Sequence, residues 1–372
     1  MGLQRAGFQP AHVVEWDRYC CDTLLENRER GVEILRNWDL TAGDVRNFDF
    51  GPFEDKLDLV SGGPPCQPFS LGGRHRAHND ARDMFPEAIR AVREIRPKAF
   101  IFENVKGLTR QSFRSYFEYI RLQLEFPEVK RKRDESWNDH LGRLERKYTS
   151  GNRLGLCYRV VSQVLNAADY GVPQRRERVF FVGFREDLNV RWSFPLPTHT
   201  ADALIWDKLY GTYWERHRVP SKQRFVPERS ARQIDMLKSP PNALAWTTVR
   251  DALSDLPDPE CEARASGKYF NHRFQPGARI YKGHTGSVLD EPAKTLKAGV
   301  HGVPGGENMV VLSDSEVRYF TVRECARLQT FPDDFLFHGS WSETMRQLGN
   351  AVPVRLAEVI GADIGARLVS AL

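Results

Sequence analysis

Short apolar runs alternate with stretches of helical periodicity through the first half of the chain. His12 to Glu15, Leu57 to Val60, Ala99 to Phe102 and Val179 to Val182 are compact apolar runs that close on polar or glycine-rich sequence, which predicts strands. Between them, Met84 to Ile95 and Tyr158 to Ala167 carry apolar residues at helical spacing, which predicts helices. Over residues 1 to 184 this is the pattern of an α/β domain with a doubly wound, mostly parallel sheet. The stretch from Lys130 to Asn152 is highly charged and is expected to be a solvated helix or loop.

After Phe184 the alternation lapses. Residues 185 to 318 are rich in Pro, Gly, Trp and His and include the glycine-rich run GHTGSVLDEPAKTLKAGVHGVPGGEN, a shift that predicts a second, smaller and irregular domain. Helical patterning resumes in TVRECARLQTFP and ends in VPVRLAEVIGADIGARLVSAL, so residues 319 to 372 are expected to return to the first domain.

The 372 residues, 41% hydrophobic and 28% charged, fit a globular protein with a substantial core. No apolar run approaches the roughly 18 residues of a membrane span. The six cysteines are scattered without a C-x-x-C pair or a zinc spacing, and no signal-peptide pattern opens the chain. A reducing, cytoplasmic setting and no metal are therefore expected. Fifty-four basic against 49 acidic residues leave a net charge of +5, which permits a polyanionic partner without demanding one.

Chemistry concentrates in GGPPCQPFS, residues 62 to 70. Pro64, Pro65 and Pro68 restrict the backbone around Cys66 and so limit where its thiol can point. A free cysteine is commonly a small buried hydrophobe. Cys66, however, follows a predicted strand, at the sheet edge where open α/β folds bind ligands. Val14-Glu15-Trp16-Asp17 places an acid at a strand end, where such domains hydrogen-bond a ribose. Asp44 and Val45 offer a second acid at the next edge, although most such aspartates are turn or cap residues. Glu103, in FENV, directly follows an apolar run and would share the edge of Cys66. Gln174-Arg175-Arg176-Glu177-Arg178 leads into VFFVG and could equally be a solvated salt-bridge face.

The order GGPPCQPFS, FENV, QRRER, RECARLQTFP and QLGNAVPV resembles the C5-cytosine DNA methyltransferase family of restriction-modification systems. The resemblance covers nearly the whole chain outside its middle. It implies a Rossmann-like methyltransferase fold for residues 1 to 184 with S-adenosylmethionine as cofactor, a target-recognition domain over 185 to 318, and double-stranded DNA as substrate, its target base flipped out of the helix. Cys66 would attack C6 of the cytosine and so make C5 nucleophilic toward the cofactor methyl. Glu103 would contact the N3 and amino edge of the base, Arg178 its O2, and Arg176 would brace the loop and the backbone phosphate. Glu15 matches the ribose-binding acid and Trp16 the aromatic that packs on adenine. Asp44 with Val45 matches the adenine-binding pair, and Asn350 helps close the cofactor pocket. Gln67 and Ser70 open a segment expected to close over DNA, and Lys294, Lys297 and His301 are the favoured base-reading residues. A monomer is expected, with a cognate restriction endonuclease acting on the same DNA site without direct contact.

The resemblance has one gap. The family's first strand and Phe-x-Gly-x-Gly loop have no counterpart before MGLQRAGF, so about 10 to 20 further residues and a weakened grip on the cofactor are expected. Two other readings compete. An RNA-directed relative would carry a Cys-Phe-Thr tripeptide and a short middle region, neither of which is found here. A DNA-binding protein without catalysis would not need Cys66, Glu103 and Arg178.

Overall fold

The computed structural model describes residues 1–65, 83–237, 239–262, 269–280, 285–298, 308–313 and 316–371. The strands are β1 (Val13–Glu15), β2 (Leu40–Ala42), β3 (Leu59–Gly62), β4 (Ala99–Val105), β5 (Tyr158–Asn166), β6 (Glu177–Arg185), β7 (His199–Thr200), β8 (Leu244–Ala245), β9 (Ser287–Val288), β10 (Met309–Ser313) and β11 (Glu316–Tyr319). The helices are α1 (Gly2–Arg5), α2 (Arg18–Glu29), α3 (Phe85–Ile95), α4 (Arg114–Glu125), α5 (Trp137–Thr149), α6 (Ala201–Tyr210), α7 (Tyr213–Arg216), α8 (Glu228–Asp235), α9 (Val249–Leu253), α10 (Pro259–Glu262), α11 (Val322–Leu328), α12 (Trp341–Asn350) and α13 (Val354–Ser370). The chain divides into two compact units, one of residues 1–42, 166–176 and 195–361, the other of residues 43–165, 177–194 and 362–372.

The second unit is built on the sheet β3-β4-β6-β5. β3 and β4 are parallel, and β6 lies antiparallel on β4. Helices α3 and α4 bury their apolar faces against it: Phe85, Ile89 and Val92 from α3 and Ile120, Leu122 and Leu124 from α4 join Phe100, Phe102 and Phe181 in one core. Gly183 is opposite Phe100, and a Cβ there would sit 2.3 Å from the Phe100 ring, so this close pairing requires glycine.

Tyr158 to Ala167 corrects a sequence expectation, because this segment is strand rather than helix. Nine residues hold too few periods to separate 3.6 from 2, and the β-branched Val160, Val161 and Val164 favour a pleated, half-buried surface. The charged stretch after Lys130 contains α5, whose N-cap Ser136 accepts from the Asp139 amide.

The first unit carries the parallel pair β1-β2 and a core drawn from Leu35, Val249, Phe320, Leu328, Phe335 and Leu348. The short α1 packs on α13 through small residues: a Cβ on Gly2 would meet the Val354 carbonyl at 2.4 Å. Among the described residues, no helix is long and apolar enough to cross a membrane.

Candidate active site

Because β3 and β4 run parallel with Gly62 opposite Phe102, the residues after these two positions, Gly63 and Glu103, lie side by side. Glu103 therefore faces Gly63, where a Cβ would lie 3.3 Å from Glu103 Oε2. Arg178 enters from β6, and its Nε donates to Glu103 Oε1 at 2.8 Å. Both side chains are only 13% exposed. Burial lowers the affinity of Arg178 for its proton, and the Glu103 carboxylate opposes that effect. A guanidinium and a carboxylate thus stand paired on adjacent strands β4 and β6. Next door, Lys106 Nζ bonds Glu177 at 2.7 Å.

Asn104, the next residue, has a role that the sequence did not suggest. Its amide is buried and donates to the Pro64 carbonyl at 2.8 Å, while the Met84 amide donates to the Pro65 carbonyl at 2.9 Å. These bonds fix the two prolines that precede Cys66. A polar residue inside an otherwise apolar strand was the available signal. Cys66, Gln67, Ser70 and His301 lie outside the described residues.

Among the cofactor candidates, Glu15 ends β1 and accepts from the Trp16 and Asp17 amides, both at 2.9 Å. The Trp16 ring is 74% exposed. Cys21 Sγ donates to the Glu15 carbonyl, and Asp17 caps α2 and pairs with Arg346 of α12 at 2.8 Å. Glu15 is paired in register with Ala42, and Asp44 follows Ala42 by two residues. Asp44 caps a single 3₁₀ turn, and its carboxylate closes on Arg46, which holds it below the usual carboxylate range. The Val45 carbonyl accepts from Arg90 of α3 at 2.6 Å. The end of β1 thus sets a carboxylate and an exposed indole side by side. No group of three His, Cys, Asp or Glu that could hold a metal occurs among the described residues.

Arg176 belongs to the first unit. It is 1% exposed, and its two terminal nitrogens donate to the Leu296 and Gly349 carbonyls at 3.2 and 2.7 Å. Its acceptors immediately precede Lys297 and Asn350. A Cβ on Gly349 would lie 2.3 Å from the Ala298 amide, so the glycine of QLGN permits the end of α12 to press on this backbone. Gln174 joins the same clamp, accepting from the Leu296 amide and donating to the Leu328 carbonyl. Lys294 reaches Thr285, while Lys297 is exposed with its backbone held by Asn308. Asn350 is exposed at the end of α12.

The profile of the C-5 cytosine-specific DNA methylase family matches residues 1–127 and 138–366. The chain belongs to this family. The Type II methyltransferase M.PspPI of Psychrobacter is 33% identical over 98% of this chain and 75% of its own length. M.NgoMIV of Neisseria gonorrhoeae, also a Type II methyltransferase, is 30% identical over 98% of this chain and 92% of its own. The S. pombe Dnmt2 methyltransferase has the same fold, with a TM-score of 0.52 at 17% identity over 99% of this chain and 94% of its own. This C-5 cytosine methylase is accordingly an enzyme of mixed α/β fold with a mostly parallel, Rossmann-like sheet.

Proposed function

We propose that the enzyme transfers a methyl group from S-adenosylmethionine to C5 of a flipped-out cytosine in a specific double-stranded DNA sequence, through a covalent Cys66 adduct. The observation that carries this reading is the Glu103–Arg178 pair on β4 and β6, beside the turn that leads to Cys66. The Cys66 thiolate adds to C6, and the electron pair of the 5,6 double bond passes to C5. Glu103 holds the N3 and amino edge of the base and, on taking up a proton, donates it to N3 to relieve the negative charge that sulfur addition puts on the ring. Arg178 holds O2 and keeps Glu103 oriented. When bound, S-adenosylmethionine supplies an electrophilic methyl group. Loss of the C5 proton then expels Cys66 and restores the aromatic ring. Glu15, Trp16, Asp44, Val45 and Asn350 would hold the cofactor, and residues 185 to 318 would read the DNA. A cognate endonuclease cutting the same sequence, a monomeric state and a cytoplasmic setting complete the proposal.

Duplex DNA carrying 5-fluorocytosine at the target tests it, because fluorine cannot leave as the proton does. A covalent protein-DNA complex is expected with the parent protein and none with Cys66→Ser. A Cys66→Ser variant that is still trapped would overturn the assignment.

A further inference from the structure

The stretch RHRVPSKQRFVPER, residues 216 to 229, holds five basic residues and one acidic residue, a net charge of +4 in a chain whose total is +5. Its shape follows from a repeated Val-Pro pair. Val219 is buried with Leu204, Tyr213 and Trp214, and Val226 packs half-buried on the same cluster. Pro220 and Pro227, directly after these anchors, turn the chain outward into extended backbone. The residues between form an arch over one 3₁₀ turn, Ser221–Gln223. Arg224 staples the arch to its own base: Nε donates to the Val219 carbonyl at 3.0 Å, and a terminal nitrogen donates to Glu215 at 2.7 Å. The arch is therefore preformed.

What it presents is unpaired charge together with an exposed aromatic ring. Arg218, Lys222 and Arg229 are exposed, and no side-chain hydrogen bond or ion pair engages them among the described residues. By contrast, Arg216 is held by Asp207 and Arg232 by Glu228. Phe225 lies between Lys222 and Arg229 in the sequence and is 73% exposed. Three free cations and one exposed aromatic ring on a rigid support are the groups that grip phosphates and make apolar contact in a groove.

The support also connects inward. Lys208 of α6 bonds the Asp290 carbonyl and the Glu291 carboxylate, and the Tyr213 hydroxyl bonds Asp290. From there the chain runs to Ala293–Lys297, which is clamped by Gln174, Arg175 and Arg176. We infer that this arch is a DNA-docking element, with Arg218, Lys222 and Arg229 on backbone phosphates and Phe225 in a groove. The inference rests on the reading of residues 185 to 318 as the DNA-reading region.

Equilibrium binding of duplex DNA measured from about 0.05 to 0.3 M salt tests it. Each phosphate contact contributes about 0.9 to the slope of log K against log salt. Lys222→Ala and Arg229→Ala are each expected to flatten the slope by about one, and the triple variant with Arg218→Ala by two to three, on the same principle. Phe225→Ala should leave the slope intact and narrow the gap between specific and non-specific DNA. All four side chains are exposed, so the thermal midpoint and S-adenosylmethionine affinity should match the parent. A triple variant with the parent's slope and affinity would overturn the inference, as would weaker binding at unchanged slope, which would assign the arch to a partner other than phosphate. If the triple variant binds like the parent while exchange of the whole middle region moves specificity, the arch assignment alone fails. A parent protein that bound no duplex would overturn both readings.

Discussion

At the scale of the residue, Glu103 and Arg178 form a nearly buried pair in which each charge depends on the other. Removing one partner of such a pair costs about 3 to 5 kcal/mol, chiefly because the survivor is left charged and unsolvated. Glu103→Gln keeps shape and hydrogen-bonding capacity but removes the charge. It is expected to lower turnover by about 100-fold or more while changing DNA affinity by no more than about threefold, since the group acts on charge that develops as sulfur adds. Single-turnover kinetics alongside equilibrium DNA binding would measure both, and equal losses would argue against a transition-state role. Glu103 was legible from its place directly after an apolar run, whereas Arg178 was singled out only by the family resemblance, since QRRER alone reads equally as a solvated salt-bridge face. The buried placement of Arg176 was not legible. Its acceptors are backbone carbonyls 120 and 173 residues away, and a carbonyl leaves no mark on the sequence that supplies it.

At the scale of the element, the compact apolar run Ala99 to Phe102 falls within β4, and the patterns of α3 and α13, which run over several turns, were read correctly. The nine residues of β5 were not, and the direction of β6 on β4 could not follow from alternation alone. The joint between α4 and α5 was equally invisible, although it yields a pH dependence. His140 of α5 is 1% exposed, and its Nε2–H tautomer donates to the Val129 carbonyl while Nδ1 accepts from the Tyr119 hydroxyl. Burial depresses its proton affinity, with Arg143 and Arg131 adding to that effect and Glu135 opposing it. The unfolded chain, with an ordinary histidine near 6.5, binds more protons than the fold just below that pH. Stability should therefore be complete above about pH 7 and fall as the pH drops through 6.5, levelling off below the folded value. His199 is shifted in the same direction by burial and Arg355, so it contributes a slope of the same sign. Thermal midpoints from pH 7.5 to 5.5 should fall less steeply for His140→Gln than for the parent, and equal slopes would show that the Tyr119–His140 joint does not select the neutral ring.

At the scale of the whole molecule, the clamp on Ala293–Lys297 bears on how the middle region can vary. The Ala293 amide and carbonyl bond Pro173 and Arg175, the Leu296 amide and carbonyl bond Gln174 and Arg176, and one hydroxyl, that of Thr295, bonds the Arg175 carbonyl. Nearly every hydrogen-bonding atom contributed by this segment is backbone, so a different sequence of the same length could occupy the clamp provided it keeps a small residue at Ala293 and an apolar one at Leu296, both buried in the core. Upstream, the base of the arch depends on its own side chains, through Lys208, Tyr213, Arg250 and Asp290. A region attached by main-chain bonds yet internally braced by side chains should be exchangeable as one piece. Residues 185 to 318, placed between the corresponding motifs of a relative with a known target, are therefore expected to carry this enzyme's sequence preference with them, read as 5-methylcytosine by bisulfite sequencing of host DNA. A graft ending at residue 289 would separate Lys208, Tyr213 and Arg250 from Asp290 and should be far less active than the full exchange. An active full-length chimera that still methylated its old target would place specificity outside the middle region, and with it the purpose of the clamp.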